Sequence, residues 1–139
     1  MAFDYSSSES PWITVESFGF ARGVPQSTTG CLLIDLRGVP LDDPADEPGL
    51  RGRDGTDADA VQHVLASPRA FTVLERACDQ ARALLDANAA RNLRLRVLVG
   101  DEDGQRRAVV VADALAEILT GRGLPADVVH HHLPAPARG

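Results

Sequence analysis

The sequence predicts a small α/β domain, with a mostly parallel sheet of about four strands and helices covering its faces. Short apolar runs of strand type alternate along the chain with longer segments in which apolar residues recur every three or four positions. Because parallel strands need a crossover between them, this alternation favours a parallel sheet over hairpins. The length of 139 residues, of which 44% are hydrophobic, is sufficient for one core. We therefore expect one domain at residues 12–133, with flexible tails at residues 1–11 and 134–139.

Four segments have the composition of strands. The segment Trp12–Phe20 (WITVESFGF) is rich in β-branched and aromatic residues, which favour strands. The run Cys31–Leu36 (CLLIDL) is almost continuously apolar, which is typical of a strand buried on both faces. The third segment is Leu93–Gly100 (LRLRVLVG), in which alternating arginines are followed by the apolar run VLV, and the last is Asp127–His132. We expect all four to pair in one sheet.

Helix start signals precede two helical segments. Thr56, with Asp59 three residues later, resembles a capping box and predicts a short helix. Ser67-Pro68 combines an N-cap residue with proline at the first helical position, and predicts a second helix that ends at about Ala89. The predicted buried face of this second helix consists of Phe71, Leu74, Cys78, Ala81 and Leu85.

The third helix is predicted from about Gln105 to Thr120, and glycines follow it as C-cap residues. Its predicted buried face consists of Ala108, Ala112, Leu115 and Leu119. The segment Arg37–Gly55 has no hydrophobic period and is rich in Pro, Gly and Asp, so it is predicted to be a long loop. Long loops in compact domains are commonly functional or disordered.

The net charge of −6 bears directly on function. Nucleic-acid-binding domains usually present a basic face, because phosphate contacts supply most of their affinity, so an acidic chain lowers the expectation of RNA or DNA binding. No apolar run approaches the ~20 residues needed to span a bilayer, and the first residues lack the charged and apolar regions of a signal peptide. We therefore expect a soluble, cytoplasmic protein whose two cysteines are reduced and buried.

The turn after the third strand is the first place to look for a binding site. In open α/β sheets, ligands lie beyond the carboxyl ends of the strands, where the N-termini of helices meet them. Free backbone N–H groups and the positive end of the helix dipole make such a turn a natural anion site. The turn runs from Gly100 to Ala108 as Gly-Asp-Glu-Asp-Gly-Gln-Arg-Arg-Ala. Asp35 and Arg37 end the second strand and are expected to point towards the same edge of the sheet.

This turn resembles a motif of the RapZ C-terminal domain family, Gly-Cys-Thr-Gly-Gly-x-His-Arg-Ser, which follows the same kind of strand. Gly100, Gly104 and Arg107 stand at the family's positions. Further stretches between about Ile13 and Leu133 resemble the family in the same order. They are Ser17-Phe18-Gly19-Phe20 with Gly23 and Pro25, Asp35-Leu36-Arg37 with Pro40, Leu50-Arg51 with Gly55 and Asp57, and Val129-His130. The family's N-terminal kinase-like domain has no counterpart, since no Gly-x-x-x-x-Gly-Lys-[Ser/Thr] motif is present, and we expect the domain to stand alone.

The resemblance implies a non-enzymatic binding or adapter domain. RapZ C-terminal domains are associated with sensing an amino-sugar phosphate, glucosamine-6-phosphate, and with binding small RNA and partner proteins. For this chain the resemblance implies a phosphorylated small molecule and a protein partner or homo-oligomer, with RNA binding weakened by the acidic charge, and no cofactor, metal or membrane. It implies ligand-binding roles for Asp35, Arg37, Gly100, Asp101, Gly104, Gln105, Arg106, Arg107 and His130.

The turn departs from the family's motif where that motif would bind an anion. Asp101 stands in place of Cys, Glu102 in place of Thr and Asp103 in place of Gly, while Arg106 replaces His and Ala108 replaces Ser. Three carboxylates repel a phosphate, so we expect phosphate binding to be altered or lost. Three interpretations of the turn are open. It can be an exposed, well-capped turn, or a carboxylate of Asp101 or Asp103 can occupy the anion cradle, which is the set of backbone N–H groups at the start of the third helix, in place of phosphate. The third interpretation is an Mg²⁺ or Ca²⁺ site built from the three acids.

Two other functions are open at this point. One is a phosphate-ester or metal-assisted hydrolase that uses Asp101 and Asp103, although the loop has no Cys, Ser or Lys nucleophile. The other is a regulatory subunit that docks on a separate kinase-like protein.

Two smaller features also have alternative interpretations. Asp35 and Arg37 can form a salt bridge, and His130 and His132 share a face on a strand and can bind zinc with an added Asp.

Overall fold

The structure, a computed structural model, describes residues 12–26, 31–88 and 94–134. The described strands and helices are β1 Ile13–Gly19, β2 Cys31–Asp35, α1 Ala58–Leu65, α2 Ala70–Asn88, β3 Leu95–Asp101, α3 Arg107–Gly121 and β4 Ala126–His130. The four strands pair in parallel in the order β2-β3-β1-β4. The predicted α/β class and the four-stranded parallel sheet are therefore confirmed.

Strand β2 lies at one edge of the sheet and pairs with β3. The expectation that this segment is buried on both faces is wrong, because its exposure alternates from residue to residue, so only one face of the strand packs on the core. Cys31 and Leu33 are exposed, whereas Leu32 is half-buried. The prediction of buried, reduced cysteines is therefore correct for Cys78 and wrong for Cys31, although both thiols are free.

The hydrophobic core lies between one face of the sheet and the helices α2 and α3. The parallel register places Ile13 beside Leu95 and Val15 beside Val97 on this face. Helix α3 crosses the same face and contacts β1, β3 and β4. Its predicted buried face is confirmed for Ala108, Ala112, Leu115 and Leu119. The buried position of α3 fixes its N-terminus against the carboxyl ends of the central strands.

Helix α1 begins one residue later than predicted. Asp57, rather than Thr56, is the N-cap residue, because its carboxylate accepts the N–H groups of both Asp59 and Ala60. Ser67 precedes α2 as predicted, but its hydroxyl oxygen accepts the Asp42 N–H at 2.8 Å. That hydrogen bond attaches the long loop after β2 to the start of α2.

The buried face of α2 is rotated relative to the prediction. Phe71 is 71% exposed, and Ala70 and Ala77 are buried in its place. The remaining predicted residues are buried, namely Leu74, Cys78, Ala81 and Leu85. Because a helix turns once in about 3.6 residues, a buried stripe that includes Ala70 and Ala77 leaves Phe71 facing solvent.

The opposite face of the sheet carries a buried ion cluster. Glu16 is 4% exposed and accepts hydrogen bonds from Nε and Nη2 of Arg96 at 2.6 and 2.7 Å. Nε2 of His131 lies 2.7 Å from Oε1 of Glu16. Burial alone would raise the pKa of Glu16, but the hydrogen bonds from Arg96 and His131 outweigh burial and hold that pKa below its usual value. The cluster joins β1, β3 and the residue that follows β4.

The long loop and the tails complete the comparison with the predicted organisation. The predicted loop Arg37–Gly55 contains two short 3₁₀ turns, Pro44–Asp46 and Pro48–Leu50. The tails predicted at residues 1–11 and 134–139 lie outside the described residues, apart from Pro134. Among the described residues, no helix has the length and apolar character needed to cross a membrane.

Candidate functional site

The carboxyl ends of β1 and β3 meet the N-terminus of α3, and glycines permit this close approach. Gly104 has a φ angle of +77°, and a Cβ atom there would lie 2.4 Å from the Gly19 nitrogen. A Cβ atom on Gly19 would lie 2.2 Å from the carbonyl carbon of Asp103. At Gly100 a Cβ atom would meet the ring of Phe18 at 2.5 Å. The turn after β3 therefore packs directly against the end of β1, and these positions require glycine.

The carboxylate of Asp101 lies at the N-terminus of α3, where the sequence predicts an anion site. Asp101 is 2% exposed, and it accepts the Gly104 N–H at 2.5 Å through Oδ1 and the Ala108 N–H at 2.9 Å through Oδ2. Ala108 is the second residue of α3, so its N–H is one of those that a helix leaves without an internal partner. Burial raises the pKa of Asp101, and the two backbone hydrogen bonds oppose that rise. Of the three open interpretations, this geometry matches an occupied cradle.

The other two carboxylates of the turn pair with its own arginines. Asp103 accepts the Gln105 N–H at 3.0 Å and lies 2.7 Å from Nη1 of Arg106. Glu102, whose side chain is 57% exposed, lies 2.5 Å from Nη2 of Arg107. The acids therefore have separate partners, and the described part of the chain holds no cluster of three or more side chains suited to a metal ion. The exposed-turn interpretation fits Glu102 but does not fit the buried Asp101.

Arg107 is buried and surrounded by oxygen atoms. Its Nη1 donates to the carbonyl oxygen of Leu41 at 3.4 Å, and its Nε lies 3.9 Å from Oδ2 of Asp43. Burial alone would lower the pKa of Arg107, but the carboxylates of Glu102, Asp43 and Asp101 outweigh burial and raise it. The guanidinium group that stands at the family's arginine position is therefore engaged by carboxylates of this chain.

The long loop after β2 closes over one side of the turn. The Gly55 N–H donates to the carbonyl oxygen of Gln105 at 2.7 Å, and Nε of Arg106 donates to the carbonyl oxygen of Arg53 at 3.3 Å. A Cβ atom on Gly55 would lie 2.6 Å from the carbonyl oxygen of Arg106, so glycine is required there as well. Gly55 matches the family's pattern, but the sequence by itself did not predict this contact.

Asp35 and Arg37 lie at the predicted edge, beside the turn. The Leu36 N–H donates to the carbonyl oxygen of Gly100 at 2.8 Å, which fixes the end of β2 against the end of β3. Nη2 of Arg37 lies 2.8 Å from Oδ2 of Asp35, and hydrogen bonds from Arg37 lower the pKa of Asp35. The Arg37 guanidinium also stacks 3.5 Å above the centroid of the Phe20 ring. Phe20 was missed as a candidate site residue, although it lies in the Ser-Phe-Gly-Phe stretch.

The three consecutive histidines have different hydrogen-bond partners, and among the described residues they belong to no cluster of three or more side chains suited to a metal ion. Nδ1 of His130 lies 2.6 Å from Oγ of Ser17, and its Nε2 lies 2.9 Å from Oδ1 of Asp113. This Ser-His-Asp chain has no accessible nucleophile, because Ser17 is fully buried. Nδ1 of His132 accepts the Gly19 N–H at 2.8 Å, and burial lowers the pKa of His132. His132, rather than His130, therefore contacts the end of β1 against which the turn packs.

The candidate residues thus fall into one group and one outlier. The group surrounds the turn after β3 and consists of Asp35, Arg37, Gly100, Asp101, Gly104, Gln105, Arg106 and Arg107. His130 is held on β4, two strands away from β3. The hydrolase interpretation finds no support in this geometry, because both carboxylate oxygens of Asp101 are already hydrogen-bonded and the residue is buried.

A parallel sheet whose central strands end at a glycine-framed turn and at the N-terminus of a buried helix defines an open α/β domain. Within that class, the chain belongs to the RapZ C-terminal domain family, whose model matches residues 11–134. The resemblance seen in the sequence is confirmed.

Curated relatives share the whole domain. A "Nucleotide-binding protein" of Anaeromyxobacter sp. (strain K) is 36% identical over 120 residues, which are 85% of this chain and 39% of that protein. Another "Nucleotide-binding protein", from Erythrobacter litoralis (strain HTCC2594), is 32% identical over 136 residues, which are 97% of this chain and 44% of that protein. The chain therefore spans less than half the length of these relatives.

Proposed function

We propose that this chain is a non-enzymatic binding and adapter domain in which phosphate binding at the turn after β3 is altered or lost. The observation that carries the proposal is the position of the Asp101 carboxylate, which accepts the Gly104 and Ala108 N–H groups. These donors are the ones that an external phosphate would use at a helix N-terminus. The domain keeps glycine at the family's positions Gly100 and Gly104, while the Asp101 carboxylate occupies the position that a bound phosphate would take.

Two physical effects favour the internal carboxylate over a free phosphate. Because Asp101 is part of the chain, its effective concentration at the turn is in the millimolar range or above. A dissolved anion must reach a similar concentration before it can compete for the same N–H groups. An added phosphate would also face the charges of Glu102 and Asp103. A pair of like charges about 4 Å apart costs about 4 kcal/mol at an effective dielectric constant of about 20. Arg106 and Arg107 offset part of this repulsion through the pairs that they already make.

The test is a titration with glucosamine-6-phosphate, followed by ¹⁵N NMR of the Gly104 and Ala108 amides. We expect no saturable shift in the natural chain. Asp101→Ser removes the carboxylate and places an oxygen analogue of the family's cysteine in the turn, so this variant should gain saturable binding. Asp86→Ser, which removes an exposed charge from α2, is the matched control and should behave like the natural chain. Saturable shifts of both amides in the natural chain would overturn the proposal.

RNA binding is proposed to be weak, because the net charge of −6 leaves little attraction for phosphates. Titration with a labelled RNA at two salt concentrations measures this directly. We expect weak binding with a shallow dependence on salt. Tight binding whose logarithm falls steeply with the logarithm of the salt concentration would contradict the proposal.

Protein contacts are proposed as the retained part of the adapter function, through self-association or a separate partner protein. The unpaired edge of β2, which bears the exposed Leu33, supports this part, because the free backbone groups of an edge strand can pair with another chain. Phe71 on α2 is 71% exposed and offers a second apolar position for a contact. Sedimentation velocity of the natural chain and of Leu33→Asp and Phe71→Asp tests it. A concentration-dependent association that one of the variants abolishes is the expected result. A monomer at every concentration would count against self-association.

A further inference from the structure

A groove of about 270 Å³ lies between the turn after β2 and the first part of α2. Val39 and Pro40 form one wall, and Val73 contributes an apolar surface on the helix side. Arg69 and Arg76 line the same groove. This arginine groove contains none of the candidate residues at the turn after β3, so a ligand there does not depend on the proposed function of the turn.

The two arginines lie on the same side of α2. The carbonyl oxygen of Arg69 accepts the Val73 N–H at 3.0 Å, so Arg69 already belongs to the first helical turn. Residues seven positions apart lie on one side of a helix, about 10.5 Å apart along its axis. Thr72 lies between them and also lines the groove, which brings its hydroxyl group to the same surface. Two long guanidinium side chains can therefore approach one anion from opposite sides.

Neither guanidinium is neutralised within the described ranges, where no carboxylate lies within ion-pair distance of Arg69 or Arg76. Six other arginines have a carboxylate within ion-pair distance, namely Arg37, Arg53, Arg96, Arg106, Arg107 and Arg122. Arg22, Arg51 and Arg82 have no such partner among the described residues, but none of the three lines the groove. In a chain with 20 acidic and 14 basic residues, two uncompensated guanidinium groups at one groove form a local positive site. Their charge is complementary to that of an anionic ligand.

We propose that the arginine groove binds a small phosphorylated molecule with a flat apolar ring, of about the size of a mononucleotide. The phosphate pairs with Arg69 and Arg76, and the ring lies on Val39, Pro40 and Val73. The volume of about 270 Å³ is close to the lower end of the range of about 300–1,000 Å³ found for ligand sites, which suits a small ligand.

A second groove provides an internal contrast. It has a volume of about 390 Å³ and is lined by Leu41, Asp42, Asp43, Asp46, Glu47 and His63. Its carboxylates repel a phosphate, so binding of a phosphorylated molecule should be confined to the arginine groove. A phosphorylated molecule should therefore bind in the arginine groove and should not bind in the groove lined by carboxylates.

The experiment is a ¹⁵N NMR titration of the natural chain with adenosine 5′-monophosphate, with adenosine and inorganic phosphate as the two partial probes. We expect saturable shifts of the Thr72 and Val73 amides with the nucleotide, and binding at least about tenfold weaker with either partial probe. The double variant Arg69→Ala/Arg76→Ala should raise the Kd at least about tenfold. Arg82→Ala removes the same charge from an exposed position of α2 outside the groove, so it should change the Kd less than about twofold.

The remaining outcomes overturn the proposal in distinguishable ways. Equal weakening by Arg82→Ala would show attraction to overall charge rather than a site. Shifts confined to Gly104 and Ala108 would refute the arginine groove and the filled cradle together, whereas no shift anywhere would refute the groove alone. Binding of a peptide of alternating glutamate and leucine at Thr72 and Val73, without nucleotide binding, would identify a protein-docking surface and exclude a small ligand.

Discussion

Replacing Asp101 with alanine removes the side chain that accepts two backbone N–H groups, one in the turn before α3 and one in the first turn of α3. The Gly104 and Ala108 N–H groups then lose their acceptors in a buried environment. A buried donor without a partner costs about 1–3 kcal/mol, and a hydrogen bond to a charged acceptor contributes about 1.5–3 kcal/mol. The substitution should therefore destabilise the domain.

The net effect is smaller than the sum of two such bonds. Burial of the carboxylate carries its own cost, which is visible in the raised pKa of Asp101, and alanine is free of that cost. Water can also enter the space that the carboxylate leaves, because the site is polar. Loss of a helix N-cap side chain typically costs about 0.5–2 kcal/mol. We expect Asp101→Ala to lower the free energy of unfolding by about 1–2 kcal/mol.

Urea unfolding at neutral pH measures this change, with Asp86→Ala as the control for loss of a negative charge at an exposed site. Adding formate, a free carboxylate, supplies the group that the variant lacks. At ten times its Kd, formate should restore about 1.4 kcal/mol to Asp101→Ala and nothing to the natural chain, with chloride at equal ionic strength as the reference. An Asp101→Ala variant as stable as the natural chain with an unchanged denaturant slope would refute the filled cradle, as would equal stabilisation of both proteins by formate.

Three further predictions follow from single contacts. The pKa of Glu16 is lower in the folded than in the unfolded protein, so its stabilisation is present above the unfolded-state pKa and is lost as pH falls through the folded-state pKa. Glu16→Gln should therefore flatten the loss of stability below about pH 5, as measured by urea unfolding at a series of pH values. Gly104→Ala combines a φ of +77° with a clash at 2.4 Å and should cost about 2–4 kcal/mol, whereas Gly121→Ala, with open space around it, should change stability by less than about 1 kcal/mol. In the folded protein a thiol reagent should modify exposed Cys31 rapidly and buried Cys78, whose pKa is raised by burial, only on unfolding; equal rates would contradict the described fold.

The site shows which structural features a local sequence pattern can predict and which it cannot. Gly100 and Gly104 could be singled out from the sequence, because they match the glycine positions of the family's motif, and the structure shows that both lack room for a side chain. The hydrogen-bond partners of the three carboxylates could not be predicted from the sequence, because three consecutive acidic residues have similar chemistry. Which of them turns inward depends on the position of α3, and that position is set by packing against β1, β3 and β4. The same reasoning separates His132 from His130, because the end of β4 decides which ring reaches Gly19.

By itself, the sequence determined the fold class and the strands and helices with shifts of a few residues at their ends, because these depend on hydrophobic periods and on local turn and cap chemistry. The sequence also determined the family, because several short motifs match the family's pattern in order. Only the tertiary structure decided that β2 is an edge strand, that Phe71 faces solvent, that Asp101 occupies the cradle and that Arg69 and Arg76 lie unneutralised beside one groove. The physical reason is the same in each case. Burial and charge pairing depend on which distant segments meet, and the meeting of distant segments is a property of packing rather than of local pattern.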